Sequence, residues 1–179
     1  MPVQKYVINT RNEVAGQLYG MQQSRAQIDS GKVTVAAIDV AVAVKKGAKD
    51  REIAAGQHGA DLAIYGITLR QQQVEQDFRP NTGAALYPVG FIAPILRDGF
   101  VNVVAQDGST NGLPVYVDTV TGLLYKAAGA NRVRSSNCVW DVTVGVGAIG
   151  RVVLTLAKQT DPVAKQTDPV AKQPAPAAK

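Results

Sequence analysis

The chain has 179 residues, enough for one domain with a sizeable core or for one domain with appendages. Its net charge of +5 is dispersed: residues 157–179 hold four Lys and two Asp, which is +2, and the body carries the remaining +3. Aromatics are only 6% of residues and are not interleaved with Arg or Lys, so a nucleic-acid platform is not expected.

Small apolar residues, chiefly Ala and Val, dominate the 46% hydrophobic fraction, and Gly is abundant as well. That mixture suits thin, Val-rich sheets better than a thick helical core. Cys138 is the single cysteine, which excludes an internal disulfide and fits a reducing compartment. The N-terminus lacks the apolar run of a signal peptide. The longest apolar stretch, residues 33–44, is interrupted by Thr34 and Asp39 and is too short to span a bilayer. The expectation is a soluble protein made in the cytoplasm.

Residues 1–30 are polar and irregular and read as an N-terminal arm, with a short helix over 21–28 as an alternative. A β body follows over 31–156. Ile38, Val40, Val42 and Val44 alternate with Asp39, Ala41 and Ala43, which predicts a strand ending at Lys45-Lys46-Gly47. Residues 61–70 predict a second strand, with Gly66 as a bulge. A long connection rich in Pro and Gly leads to a regular series of short strands. In that series Arg97-Asp98-Gly99 and "DGSTNG" read as turns. "PVYVDTV" meets "LLYKAA" across Thr121-Gly122, and "CVWDVTV" meets "RVVLTLA" across a run of glycines. The predicted class is all-β: an antiparallel β-barrel or a jelly-roll-like sandwich.

That glycine run, Gly145-Val146-Gly147-Ala148-Ile149-Gly150, has the literal spacing of a dinucleotide-binding loop. The fingerprint needs a helix after the glycines, because the pyrophosphate sits on the helix N-terminus. Here Arg151-Val152-Val153-Leu154-Thr155-Leu156 follows, a β-branched run, so the glycines read as a hairpin turn. His58, the only histidine, lies in a loop, and no multi-histidine metal site can be built from it. A Cys138–His58 pair would have the composition of a nucleophile and its base. Cys138, however, sits within an apparent strand, where a small buried hydrophobe is the default. Asp39, Asp118 and Asp141 alternate with apolar neighbours and read as a solvated face. The sequence therefore assigns no catalytic residue, no cofactor and no metal ligand.

Residues 157–163 and 164–170 both read "AKQTDPV", and residues 171–177 vary the theme as "AKQPAPA". The period is seven, but a proline in each unit precludes a coiled coil and favours an extended, polyproline-like tail. Such a segment has no core to join, so it is either a solubilising linker or a chain whose value lies in contacts with another surface. Pro162-Val163 and Pro169-Val170 offer pre-set backbone and small apolar side chains, with Lys158 and Lys165 adding a salt-sensitive contribution.

Two stretches, "VAVAVKKGAKDREIAAGQHGADLAIYGITLRQQ" and "LPVYVDTVTGLLYKAAGANRVRSSNCVWDVTVGVGAIGRVVLTLA", resemble the cement or decoration proteins of tailed bacteriophage capsids. The likeness is one of strands and turns: a Lys-Gly turn before an "IYGIT" strand, and a "PVYVD–TG–L" hairpin before a Trp strand and a Val-rich strand. It implies a β-barrel or jelly roll without enzymatic activity. It also implies assembly onto the outer surface of a shell of major capsid protein, as homodimers or homotrimers bridging neighbouring subunits. Two other functions compete. A carbohydrate- or receptor-binding module on a virion would need exposed aromatics from among Tyr19, Tyr65, Tyr87, Tyr116, Tyr125 and Trp140. An enzyme dependent on Cys138 and His58 would need an exposed thiol of lowered pKa.

Overall fold

In the computed structural model the described residues are 15–18, 26–60, 62–70 and 86–156, and among them there are eleven strands and no helix. In chain order these are β1 (Gln27–Val33), β2 (Ile38–Asp39), β3 (Ala43–Lys46), β4 (Glu52–Ala55), β5 (Gly66–Thr68) and β6 (Leu86–Tyr87). They continue with β7 (Ile92–Val104), β8 (Pro114–Asp118), β9 (Leu124–Tyr125), β10 (Arg132–Trp140) and β11 (Ile149–Leu154). The nine-stranded main sheet runs β1-β4-β3-β5-β7-β11-β10-β8-β9, and β1 also pairs with β7. That extra pairing closes β1, β4, β3, β5 and β7 into a ring. The other half closes as well: Ala105, just past β7, bridges to Leu124 of β9, and Gln106 donates its N–H to the Leu124 carbonyl at 3.2 Å.

The fold is thus all-β and barrel-like, built from two curled sheets that share one long strand. All ladders are antiparallel except β1–β4, a parallel pairing confined to Lys32 and Val33. The first half of β7 pairs with β1 and β5, the second half with β11. Two cores result. One, filling the first ring, contains Val33, Ile38, Val42, Val44, Ile53, Tyr87, Ala93 and Ile95. The other lies against the second sheet and includes Trp140, Cys138, Val101, Val103, Val115, Val117, Val152 and Leu154.

Side chains on a strand alternate between faces, so the odd-numbered residues of β7 would keep to one core along its length unless its phase changes. In β7, Ala93 and Ile95 enter the first core, while Leu96 points to the second. After the break, odd-numbered Val101 and Val103 join Leu96 in the second core. The phase slips at Arg97-Asp98-Gly99, where the β1 register skips from Leu96 to Asp98 and Gly99 takes φ +124°. These three residues, expected as a turn, form instead a bulge inside a 13-residue strand. Pro94, within β7, has no N–H to offer, and the β5 ladder ends alongside it at Thr68↔Ile95.

Other expectations are corrected in the same region. The strand read through 38–44 is two strands, β2 and β3, separated by a turn in which Ala41 has φ +60°. Buried Thr68 spans the gap: its hydroxyl donates to the Asp39 carbonyl at 2.8 Å and accepts from the Val42 N–H at 3.1 Å. The strand over 61–70 contracts to β5, and Gly66 is not a bulge but pairs in register with Val44. Sequence reading passed over β4, which forms a hairpin with β3. Gln27 and Ile28 are strand, so a helix does not extend through 28. Ala15–Leu18 lie along the second half of β7, with Gly16 N–H donating to Asn102 O at 2.7 Å. The two hairpins read as β8–β9 and β10–β11 form as expected.

Gly66 packs directly under β7: a methyl placed there would overlap the Ile95 side chain and the Leu96 carbonyl. Because backbone blocks one side, repacking cannot relieve the overlap. Gly66→Ala is expected to cost about 3 kcal/mol or to prevent folding, and a thermal melt matching the parent protein would refute this account of β5–β7 packing.

Candidate interaction surface

The residues that sequence reading held up as possible chemistry do not come together. Cys138 is fully buried in β10, opposite Leu154, and burial pushes its thiol pKa well above the ordinary value. A nucleophilic cysteine needs the opposite environment. His58 is exposed, and its Nε2 lies 3.0 Å from the Lys46 carbonyl. The glycine run is a hairpin turn between β10 and β11, with Gly147 at φ +71° and its N–H on Ala105 O at 2.8 Å. Among the described residues, no three His, Cys, Asp or Glu side chains gather where they could hold a metal ion. No helix among them is long and apolar enough to cross a membrane.

The aromatics named for a sugar platform are divided, and Tyr116 and Tyr125 are half-buried register partners on β8 and β9. Tyr87 and Trp140 are wholly buried, with the Tyr87 O–H donating to Leu69 O at 2.6 Å. Tyr65 lies under the Arg97 guanidinium at 3.9 Å, and Tyr125 under that of Arg132 at 3.5 Å. Tyr19 lies outside the described residues.

Two buried amides, which sequence reading did not single out, hold the loop before β5. The Asn137 Oδ1 accepts from Ile64 N–H (3.0 Å) and from the Ser135 hydroxyl (2.9 Å). Its Nδ2 donates to Ile64 O (3.1 Å) and Thr155 O (3.2 Å). Gln57 Nε2 faces the carbonyls of Gly59, Leu62 and Arg134 at 2.7, 2.7 and 3.0 Å. Side-chain amides thus substitute for a ladder where β10 loses register with β8, between Arg134 and Val139. Their bonds serve the scaffold.

What the scaffold presents is an apolar cluster at one end of the first ring. Val35 is 78% exposed, Ile92 65%, Val89 54% and Phe91 42%. The two segments that carry them are joined through the backbone: Gly90 N–H donates to Val33 O at 2.8 Å, and Val33 N–H donates to Phe91 O at 2.9 Å. Phe91 N–H closes the turn on Pro88 O at 3.1 Å. Lys32, the register partner of Ile92, lies beside the cluster, and its N–H bonds the carbonyl of exposed Arg51 at 2.7 Å. Scattered exposed apolar residues are ordinary, whereas exposed ones on joined segments are a candidate interaction surface. Sequence reading missed this cluster. The tail residues it named instead, Lys158, Pro162, Val163, Lys165, Pro169 and Val170, lie outside the described residues.

Across the same barrel, Tyr65 O–H donates to Asp29 Oδ2 at 2.7 Å, and Arg97 pairs with that oxygen at 3.4 Å. The Tyr65 bond, with the Ser30 N–H and the Arg97 charge, holds the Asp29 carboxyl below its ordinary pKa. A depressed folded pKa means that the unfolded chain takes up the proton first. The stabilisation is therefore full above about pH 4 and is lost as pH falls through the folded value. Asp29 is 45% exposed, so the contribution is under ~1 kcal/mol. Asp29→Asn should lose less stability than the parent between pH 6 and acid, by roughly that amount. Urea titrations showing equal acid sensitivity would remove Asp29 from the account.

The model of the structural cement protein family (E217 gp24/Pam3 gp6) matches residues 2–155. Among solved structures, a chain from the capsid of Myoviridae phage XM1 superposes with a TM-score of 0.62 over 88% of this chain and 100% of that one. At 18% identity that likeness speaks for the fold alone. The head fibre gp8.5 N base of bacteriophage phi29 aligns at a TM-score of 0.45 and 7% identity, over 74% of this chain and 96% of that one. No curated protein sequence matches.

Proposed function

The chain belongs to the structural cement protein family, and from that premise we propose that it docks on the outer surface of a phage capsid and bridges neighbouring subunits of the major capsid protein. The observation that carries the docking is the cluster of Val35, Val89, Phe91 and Ile92 on a body whose sheets are largely closed on themselves. Closure consumes strand edges, so a partner meets loops and faces rather than a strand to extend. The proposed role is mechanical and not catalytic: buried Cys138 and the outlying His58 serve the fold and its surface.

Bridging needs a second contact, and the repeat supplies it. Residues 157–179 extend across a neighbouring capsid or cement subunit, mainly through Pro162-Val163 and Pro169-Val170. Lys158 and Lys165 add a contribution that salt weakens. Copies associate on the shell as dimers or trimers, completed there rather than in solution.

The test uses undecorated particles. Val35→Asp with Phe91→Asp, both at exposed positions, should leave the melting temperature within a few degrees and reduce occupancy on the shell at least tenfold. Truncation after Leu156 should bind but elute at lower salt or temperature. Full occupancy of the double variant would refute the docking surface, and unchanged elution of the truncation would refute the bridging tail.

A further inference from the structure

An exposed apolar cluster is a liability in a protein synthesised before its shell is available. We infer that in the free protein the first repeat of the tail, centred on Pro162-Val163, covers the Val35–Val89–Phe91–Ile92 cluster of the same chain and yields it to the shell on docking. This rests on the reading of that cluster as the shell-facing surface.

Reach selects the occupant. Leu154, the end of β11, is the register partner of Gly99, so the tail is rooted beside the middle of β7. Ile92 lies seven residues earlier on that strand, no more than ~23 Å away at strand rise. Nine residues separate Leu154 from Val163, and an extended chain of that length spans about 28 Å. The first Pro-Val step therefore reaches the cluster. The second, at Pro169-Val170, lies some 50 Å out along an extended chain, past the cluster and free for a neighbour. The first unit also carries Lys158 and Asp161, while the cluster is flanked by Lys32, Arg51 and Glu52, so charges of both signs find opposites.

Affinity is set by the tether. A short flexible link holds the first unit at roughly millimolar effective concentration. A Pro-Val contact of comparable dissociation constant would then cover the cluster about half of the time. That is enough to lower self-association, and weak enough that a capsid surface displaces it.

The experiment needs no particles, so it succeeds or fails apart from the docking assay. A nitroxide is attached to Ala164→Cys of the full-length protein, buried Cys138 staying unlabelled in the folded state. Amide signals of Val35 and of residues 89–92 should then broaden selectively, and by the same factor on dilution. Adding Val163→Asp to the labelled chain should restore them. Nitroxide-labelled protein mixed with an unlabelled, isotope-enriched copy should leave the enriched signals sharp. No broadening at those residues overturns the inference, and so does broadening that appears only between different molecules.

Discussion

Everything in this body depends on β7 serving two sheets at once. A strand shows alternate residues to opposite faces, so its odd-numbered residues stay with one core unless the phase slips. The slip at Arg97-Asp98-Gly99 lets Ile95 fill the first core and Val101 the second, with Leu96 facing the second core from the first half of the strand. Glycine at φ +124° makes that slip affordable, because a side chain there would meet its own backbone. Remove the slip, and one of the two cores receives the wrong face of the strand.

The consequences spread outward from that strand. β1 and β5 flank its first half, and β11 its second, so neither sheet has to end in a long open edge. The hairpin β8–β9 then folds back over the first ring. Ala43 N–H donates to Gly122 O at 2.8 Å, and Lys45 Nζ reaches Thr119 O at 3.2 Å. Where ladders break, buried side chains take over: Thr68 at the β2–β3 gap, and Asn137 and Gln57 around residues 57–64. Each replaces backbone bonds that would otherwise be lost inside the protein, where an unmet polar group costs more than a made bond returns.

Those substitutions explain which parts of the fold were legible in the sequence. The β8–β9 and β10–β11 hairpins announce themselves, because Thr121-Gly122 and the 145–150 run are local turn signals between Val-rich segments. The residues 38–44 look like one strand because their alternation is perfect, yet the chain turns at Ala41 for the sake of Thr68, 26 residues away in sequence from Val42. Arg97-Asp98-Gly99 has the composition of a turn, and only long-range pairing on both sides keeps it in a strand. β4 was passed over because "EIAA" is short and weakly alternating, and its pairing with β3 and β1 decides its state. The surface cluster was invisible for a related reason. Val35 and residues 89–92 are separated in sequence by more than 50 positions, and only the bonds of Val33 to Gly90 and Phe91, where β1 runs past the start of β7, join their segments.

A protein of this kind works by adding contacts, and one contact does not reinforce a shell. A single docking surface adds its own binding energy but leaves neighbouring subunits as free to part as before. Reinforcement begins when one chain holds two subunits, because separating them must then break a second attachment whose effective concentration is set by the tether. The closed body suits the first attachment: its cluster is fixed by backbone bonds at both of its segments, so little is lost in ordering it. The repeat suits the second under the proposed arrangement, since proline limits the entropy lost on docking and the period of seven offers the same contact at successive distances. Under that proposal body and tail divide the work, with strength coming from their connection rather than from either surface alone.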